Sequence, residues 1–255
     1  MFTADGAREK KMRISIFGFG EFGQLITKYL VKYADIYVYD RNQAKTELIK
    51  SLGGNPVNLE DAASCEVIIV ATTLDALEST LLDISPLVKP GTLVADVTSV
   101  KIKPAEMMMR ILPKNVQILA THPLFGNVSA TGPTLEGHKI VVDPLRVENM
   151  DEIEKFLHKL GLDVIHLSCD EHDKEMAWVH ALTFFVGRGV MALDPPHSHF
   201  RTGYYNKLMA VVDMERTHSL ELFYTIQRGN PYAKEMRQRL VKSFEELEAD
   251  IEKEL

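Results

Sequence analysis

Arg13-Ile14-Ser15-Ile16-Phe17-Gly18-Phe19-Gly20-Glu21-Phe22-Gly23 is the stretch that decides the fold of this 255-residue chain. The first five residues read as a short buried strand. From Glu21 to Lys32, Phe22, Leu25, Ile26, Tyr29 and Leu30 recur at helical spacing. Between them lie three glycines in G-x-G-x-x-G order. The first permits a tight turn and the second lets the backbone approach a pyrophosphate. The third lets helix and strand pack closely, while the helix N-terminus offers N–H donors and a positive dipole. A second strand, Ile36 to Tyr39, ends at Asp40, where a carboxylate reaches the ribose hydroxyls of a dinucleotide. Gly18, Phe19, Gly20, Glu21, Phe22, Gly23, Asp40 and Arg41 are therefore the expected cofactor-binding set. Asp40 favours NAD, because a carboxylate repels a 2′-phosphate. Arg41 keeps NADP possible, because a guanidinium would bind that phosphate.

Outward from this stretch, strands and helices alternate. A short helix over Ala44 to Leu52 stops at Gly53-Gly54. Strands are expected at Val67 to Ala71, Thr92 to Asp96, Gln117 to Ala120 and Lys139 to Val142, and the character of the chain changes after Val164-Ile165-His166-Leu167. The alternation predicts an α/β fold with a doubly wound, mostly parallel sheet. After Cys169 no strand pattern remains. Helical periodicity runs over Asp170 to Leu193, Asn206 to Arg228 and Tyr232 to the C-terminus, with breaks at 194–199 and Asn230-Pro231. The expected organisation is a flexible leader over 1–11, a dinucleotide-binding domain over 12–168 and an all-helical domain over 169–255. The last is thin for a core of its own and is expected to dimerise.

Composition limits the function. The chain has 29 basic and 36 acidic residues, a net charge of −7, so it lacks the electrostatic footprint of a nucleic-acid binder. No apolar run approaches the ~20 residues that span a bilayer, so no membrane association is expected. Two distant cysteines, Cys65 and Cys169, fit neither a disulfide scaffold nor a paired metal motif. Composition therefore predicts a cytoplasmic enzyme or binding protein, with no metal expected.

Two later clusters narrow the chemistry. Asp96-Val97-Thr98-Ser99-Val100-Lys101 and Thr121-His122-Pro123-Leu124-Phe125-Gly126 each follow a strand, at the sheet edge where such folds place ligands. With the glycine loop and the run Ser168 to Lys174, they resemble the prephenate/arogenate dehydrogenase family of tyrosine biosynthesis. Thr183, Val186-Gly187-Arg188, Gly203-Tyr204 and Asn206 look closest to its plant-type arogenate branch. The resemblance implies oxidative decarboxylation of a cyclohexadienol, arogenate or prephenate, with hydride transfer to NAD(P) and release of the ring carboxylate as CO2. It implies His122 as base toward the ring hydroxyl, a task suited to an imidazole. Ser99 would bond the same hydroxyl or orient the imidazole.

Other residues carry two readings. Asp96 and Lys101 read as an ion pair at a strand–helix junction. Thr72 and Thr73 read as ribose contacts or as a cap for the helix starting at Leu74. Where relatives carry a second histidine this chain has Phe184, and His180, one turn away, is the alternative polar contact. Thr183, Arg188, Arg201, Asn206 and Lys207 complete the candidate substrate-binding set. Asp170 reads as an N-cap. Asn127 replaces the proline that closes the family's T-H-P-x-x-G-P stretch. Two other functions share this build: a hydroxyacid or imine reductase, and a catalytically silent dinucleotide sensor, which Phe184 and Asn127 motivate.

Overall fold

The computed structural model describes residues 11–196 and 198–253; the expected leader, residues 1–11, falls outside this range except for Lys11. Two compact units divide at Cys169/Asp170.

The first unit is built on one eight-stranded sheet in the order β3-β2-β1-β4-β5-β6-β7-β8. The strands are β1 Arg13–Phe17, β2 Asp35–Tyr39, β3 Asn55–Pro56, β4 Val67–Val70, β5 Leu93–Asp96, β6 Gln117–Pro123, β7 Lys139–Arg146 and β8 Asp163–His166. The helices are α1 Glu21–Leu30, α2 Thr46–Ser51, α3 Leu59–Ala63, α4 Leu74–Ile84, α5 Ile102–Ile111 and α6 Met150–Lys159. Strand order reverses between β1 and β4, which opens a crevice at the C-terminal sheet edge. Alternate residues along the strands serve separate cores. Ile14, Ile16 and Leu119 pack with α1 and α6, while Ile68, Val94, Ile118 and Ala120 pack with α4 and α5.

Three features differ from the sequence expectation. The helix expected over Ala44 to Leu52 is a 3-10 turn, Gln43–Lys45, followed by α2. Asn42 causes the tight start by accepting the Ala44 N–H. Strand β6 continues past Ala120 to Pro123, so Thr121 and His122 lie in the sheet and not in a following loop. The β6–β7 pair is antiparallel, His122 facing Val141. No helix separates these two strands, so the chain turns back along the sheet without a parallel crossover.

The second unit holds the remaining helices: α7 Cys169–Met176, a π turn Ala177–Ala181, α8 Leu182–Ala192, α9 Gly203–Thr217, α10 Leu220–Gly229 and α11 Ala233–Lys253. Its core is small, with Ala177, Ala181, Phe184, Ile226, Ala233 and Met236 at the centre. Gln227 Nε2 donates to the Ala181 carbonyl and so satisfies part of the π turn. The helix expected over Asn206 to Arg228 is two helices. Ser219 accepts the Leu222 N–H and starts α10, a break without glycine or proline. Asp170 lies inside the first turn of α7, bonded to Lys174 and to the Tyr232 hydroxyl, and is not its cap.

Candidate active site

The glycine loop connects β1 to α1 at the crevice. Gly18 has φ +96°, and a Cβ there would stand 2.6 Å from the Ala71 carbonyl oxygen. A Cβ on Gly23 would stand 2.2 Å from the Gly18 oxygen, so only glycine lets the helix start this close to the strand. Gly20 faces open space, where a ligand can come against the backbone.

A cavity of about 270 Å³ opens here, lined by Gly18, Phe19, Gly20, Asp40, Arg41, Lys45, Thr72 and Thr73 among others. Phe19 N–H donates to Asp40 Oδ2 at 2.7 Å, tying the loop to the end of β2. Burial pushes the Asp40 carboxyl up, but bonds from Lys45, Asn42 N–H and Phe19 N–H outweigh it and hold the group below its ordinary value. Thr73 Oγ1 accepts the Ala76 N–H at 3.4 Å and caps α4, the structural alternative of its two readings. Thr72 Oγ1 is buried without a partner, a polar atom left for a ligand. The cradle of glycines, the helix N-terminus and this orphaned hydroxyl fit a nicotinamide dinucleotide.

Three members of the expected cofactor set, Glu21, Phe22 and Gly23, do not line the cavity, and Gly23 serves the helix–strand packing instead. Glu21 is exposed at the start of α1. Phe22 points away and packs on Phe125, ring centroids 6.0 Å apart, because helical spacing puts it on the core side of α1. It lines a larger apolar groove of about 700 Å³ between the sheet, α1 and α6, which the glycine loop does not reach. The sequence reading missed Lys45, whose ammonium lies 2.8 Å from Asp40 Oδ2. Its spacing after Asp40 was legible; the 3-10 turn that brings it back was not.

Ser99 follows β5 and His122 lies in the neighbouring β6, at the same sheet edge. Ser99 sits half-buried in the loop after β5, and His122 is 5% exposed near the end of β6. A buried polar cluster fixes both strand ends. Lys101 Nζ donates to Asp96 Oδ2 and to the Thr121 carbonyl, each at 2.5 Å. Thr98 N–H and Oγ1 donate to Asp96 Oδ2, and Thr121 Oγ1 donates to the Asp96 carbonyl. Asp96 and Lys101 are thus the ion pair that their junction position suggested. The buried Cys169 thiol is pushed well up, first by burial and then by its bond to Asp143, which makes it a poor nucleophile.

In the helical unit, few of the candidate substrate residues point to a ligand. Arg188 is spent on Glu215, Nε to Oε1 at 2.8 Å, with Glu215 fully buried and the guanidinium over the Phe223 ring. The pairing runs through one carboxylate oxygen, Oε1, while Arg188 Nη2 and Glu215 Oε2 are buried without a hydrogen-bond partner. Thr183 Oγ1 donates to the Val179 carbonyl of its own helix. Arg201, Asn206 and Lys207 are exposed. His180 meets the Phe184 ring edge-on at 4.5 Å, and Phe184 stacks on His218 at 4.7 Å. Burial, and then the charges of His218 and His172, bring His180 down to about 4.

Comparison with known proteins agrees with this geometry. Residues 26–166 match the family described as prephenate dehydrogenase, nucleotide-binding domain, and 192–255 match a TYRAAT1-like C-terminal domain. Arogenate dehydrogenase 2, chloroplastic, of Arabidopsis thaliana is 28% identical over 96% of this chain and 71% of its own length. Arogenate dehydrogenase 1 of the same plant is 30% identical over 97% of this chain but only 40% of its own length. The A. aeolicus prephenate dehydrogenase, solved with hydroxyphenyl propionate and NAD+, shares the fold at TM-score 0.77 and 18% identity, over 97% of this chain and 93% of that one. With more than half of its length in the family's nucleotide-binding domain, this chain belongs to the prephenate dehydrogenase family.

Proposed function

We propose that this chain oxidatively decarboxylates arogenate or prephenate with a nicotinamide dinucleotide, as an enzyme of tyrosine biosynthesis. The observation that carries this reading is the buried His122 near the end of β6, the strand next to β5 from which the Ser99 loop leaves, on the same sheet edge as the glycine cradle. Gly18, Phe19, Gly20 and Thr72 would hold the dinucleotide, with Asp40 at its ribose. When bound, the dinucleotide supplies the two-electron oxidant. His122 accepts the proton of the ring hydroxyl at an imidazole nitrogen, and Ser99 orients that hydroxyl or the imidazole. The Asp96–Lys101 cluster holds both strand ends and thus the two side chains. Loss of CO2 leaves an aromatic ring, which drives the reaction without a covalent nucleophile.

The acid that follows β2 favours NAD in this reading, and NADP is possible in the same cavity. The first unit serves as the cofactor domain and the second for substrate contact and self-association. Exposed apolar side chains on the second unit support a homodimer, Trp178, Phe200, Tyr204, Phe244 and Leu247 among them. No helix among the described residues is long and apolar enough to cross a membrane. Free, buried Cys65 and Cys169 suit a reducing, cytoplasmic setting.

The test is absorbance of the reduced cofactor, with arogenate and prephenate each paired with NAD and NADP. Turnover of either cyclohexadienol supports the reading. Turnover of hydroxyacids alone would replace it with a reductase, and cofactor binding without turnover with a sensor.

A further inference from the structure

The carboxylate at the end of β2 is not the bare acid that its sequence position suggests. Asp40 Oδ2 accepts both the Phe19 N–H at 2.7 Å and the Lys45 ammonium at 2.8 Å, and Oδ1 accepts the Asn42 N–H at 2.8 Å. Its side chain is 11% exposed, against 30% for Lys45. Lys45 is thus the partner that an incoming ligand can reach. Arg41 stands beside them but leans across to α4, bonded to Asp83 at 2.9 Å and to Ser79 at 3.3 Å. Asp40, Arg41, Lys45 and Asp83 all line the cavity, two cations against two carboxylates.

A solitary carboxylate discriminates against a phosphorylated ribose by charge repulsion. A carboxylate bonded to an ammonium has lost most of that repulsion, and the ammonium is itself a phosphate donor. Lysine acts there as a mobile point charge that can swing from one anion to another. Arg41 and Asp83 form an exposed pair that water screens, so Arg41 can turn to the same phosphate; Lys45 differs in being the cation bonded to the acid that would repel it.

We propose that Lys45 sets the cofactor selectivity of this site: by neutralising Asp40 and offering its own ammonium, it admits a 2′-phosphate where the acid alone would exclude one. The inference rests on the reading of the cavity as a dinucleotide site. It makes the enzyme dual-specific, with Asp40 acting chiefly as the clamp between the glycine loop and the 3-10 turn.

The experiment is isothermal titration calorimetry of the full chain with NAD and with NADP, on the native protein, Lys45→Met and Lys45→Arg. Native protein is expected to bind the two cofactors within about tenfold of each other. Lys45→Met should lose about tenfold or more for NADP and less than about threefold for NAD, while Lys45→Arg keeps NADP within about threefold. The NADP affinity of native protein should also fall more steeply with salt than that of Lys45→Met. Equal losses for both cofactors would make Lys45 a structural clamp only and overturn the proposal, as would unchanged NADP binding in Lys45→Met. Native protein that binds NAD but refuses NADP overturns the proposal alone. Native protein that binds neither overturns the dinucleotide reading as well. Thermal unfolding followed by circular dichroism checks that the Met variant is folded; if it is not, Lys45→Arg with lost NADP binding and intact NAD binding also overturns the proposal.

Discussion

Replacing Lys101 by methionine tests whether the buried ion pair braces the catalytic strand ends. The Lys101 side chain is 2% exposed and that of Asp96 fully buried, with 2.5 Å between Nζ and Oδ2. Methionine fills most of the space of the lysine stem but removes the charge, and leaves the Thr121 carbonyl without its Nζ–H donor. Asp96 then keeps its bonds from Thr98 and Thr121 but loses this counter-charge. Breaking a buried pair from one side costs about 3–5 kcal/mol, whereas removing both charges together is often near neutral. In a domain of this size each kcal/mol moves the midpoint by about 2–4 °C, so Lys101→Met should lower Tm by roughly 6–20 °C. Asp96→Asn should also destabilise. The double variant should cost at least about 2 kcal/mol less than the two singles added together, because the substituted amide can still accept from Thr98 and no charge is left unpaired. Urea unfolding followed by circular dichroism measures all three. A Lys101→Met cost below about 1 kcal/mol would refute the reasoning, as would additivity to within about 0.5 kcal/mol.

The other predictions concern the site and the helical unit. His122→Asn should lower kcat by about 10²-fold while leaving NAD affinity nearly unchanged, and a drop below about threefold removes it from the mechanism. Gly23→Ala puts a methyl group 2.2 Å from the Gly18 oxygen, so α1 must move off the loop. Calorimetry should find NAD affinity reduced about tenfold or more, and unchanged affinity would refute the close-approach argument. His180 falls from an ordinary 6.5 to about 4 in the folded chain. The unfolded chain therefore takes up a proton between those values that the folded chain does not, and stability falls as pH drops from 6.5 toward 4, by up to ~3 kcal/mol. His180→Phe should flatten that fall in pH-dependent urea unfolding; an unaltered slope would assign the loss to other groups.

Local chemistry made much of this protein legible in its sequence. The Gly18-to-Gly23 spacing, the strands around it and the acid ending β2 are read within short windows, where period and glycine geometry dictate the backbone. The ion pair between Asp96 and Lys101 was also readable, since a few residues across a strand–helix junction bring the two together. His122 and Ser99 were found by motif, but their setting was not: the motif suggests a loop, whereas His122 lies inside β6, opposite Val141 on an antiparallel neighbour. Only the tertiary fold decides pairing of that kind, because the residues facing each other are distant in sequence and the direction of β7 follows from the lack of a crossover helix. The same holds for Arg188, whose charge looked available until α9 brought Glu215 beside it in the core. It holds for Asp40 too: its place at the strand end comes from sequence, but its charge balance comes from a 3-10 turn that folds Lys45 back onto it. Sequence determines which groups a segment carries and its local backbone; which charges are spent on one another depends on distances that exist only once distant segments pack.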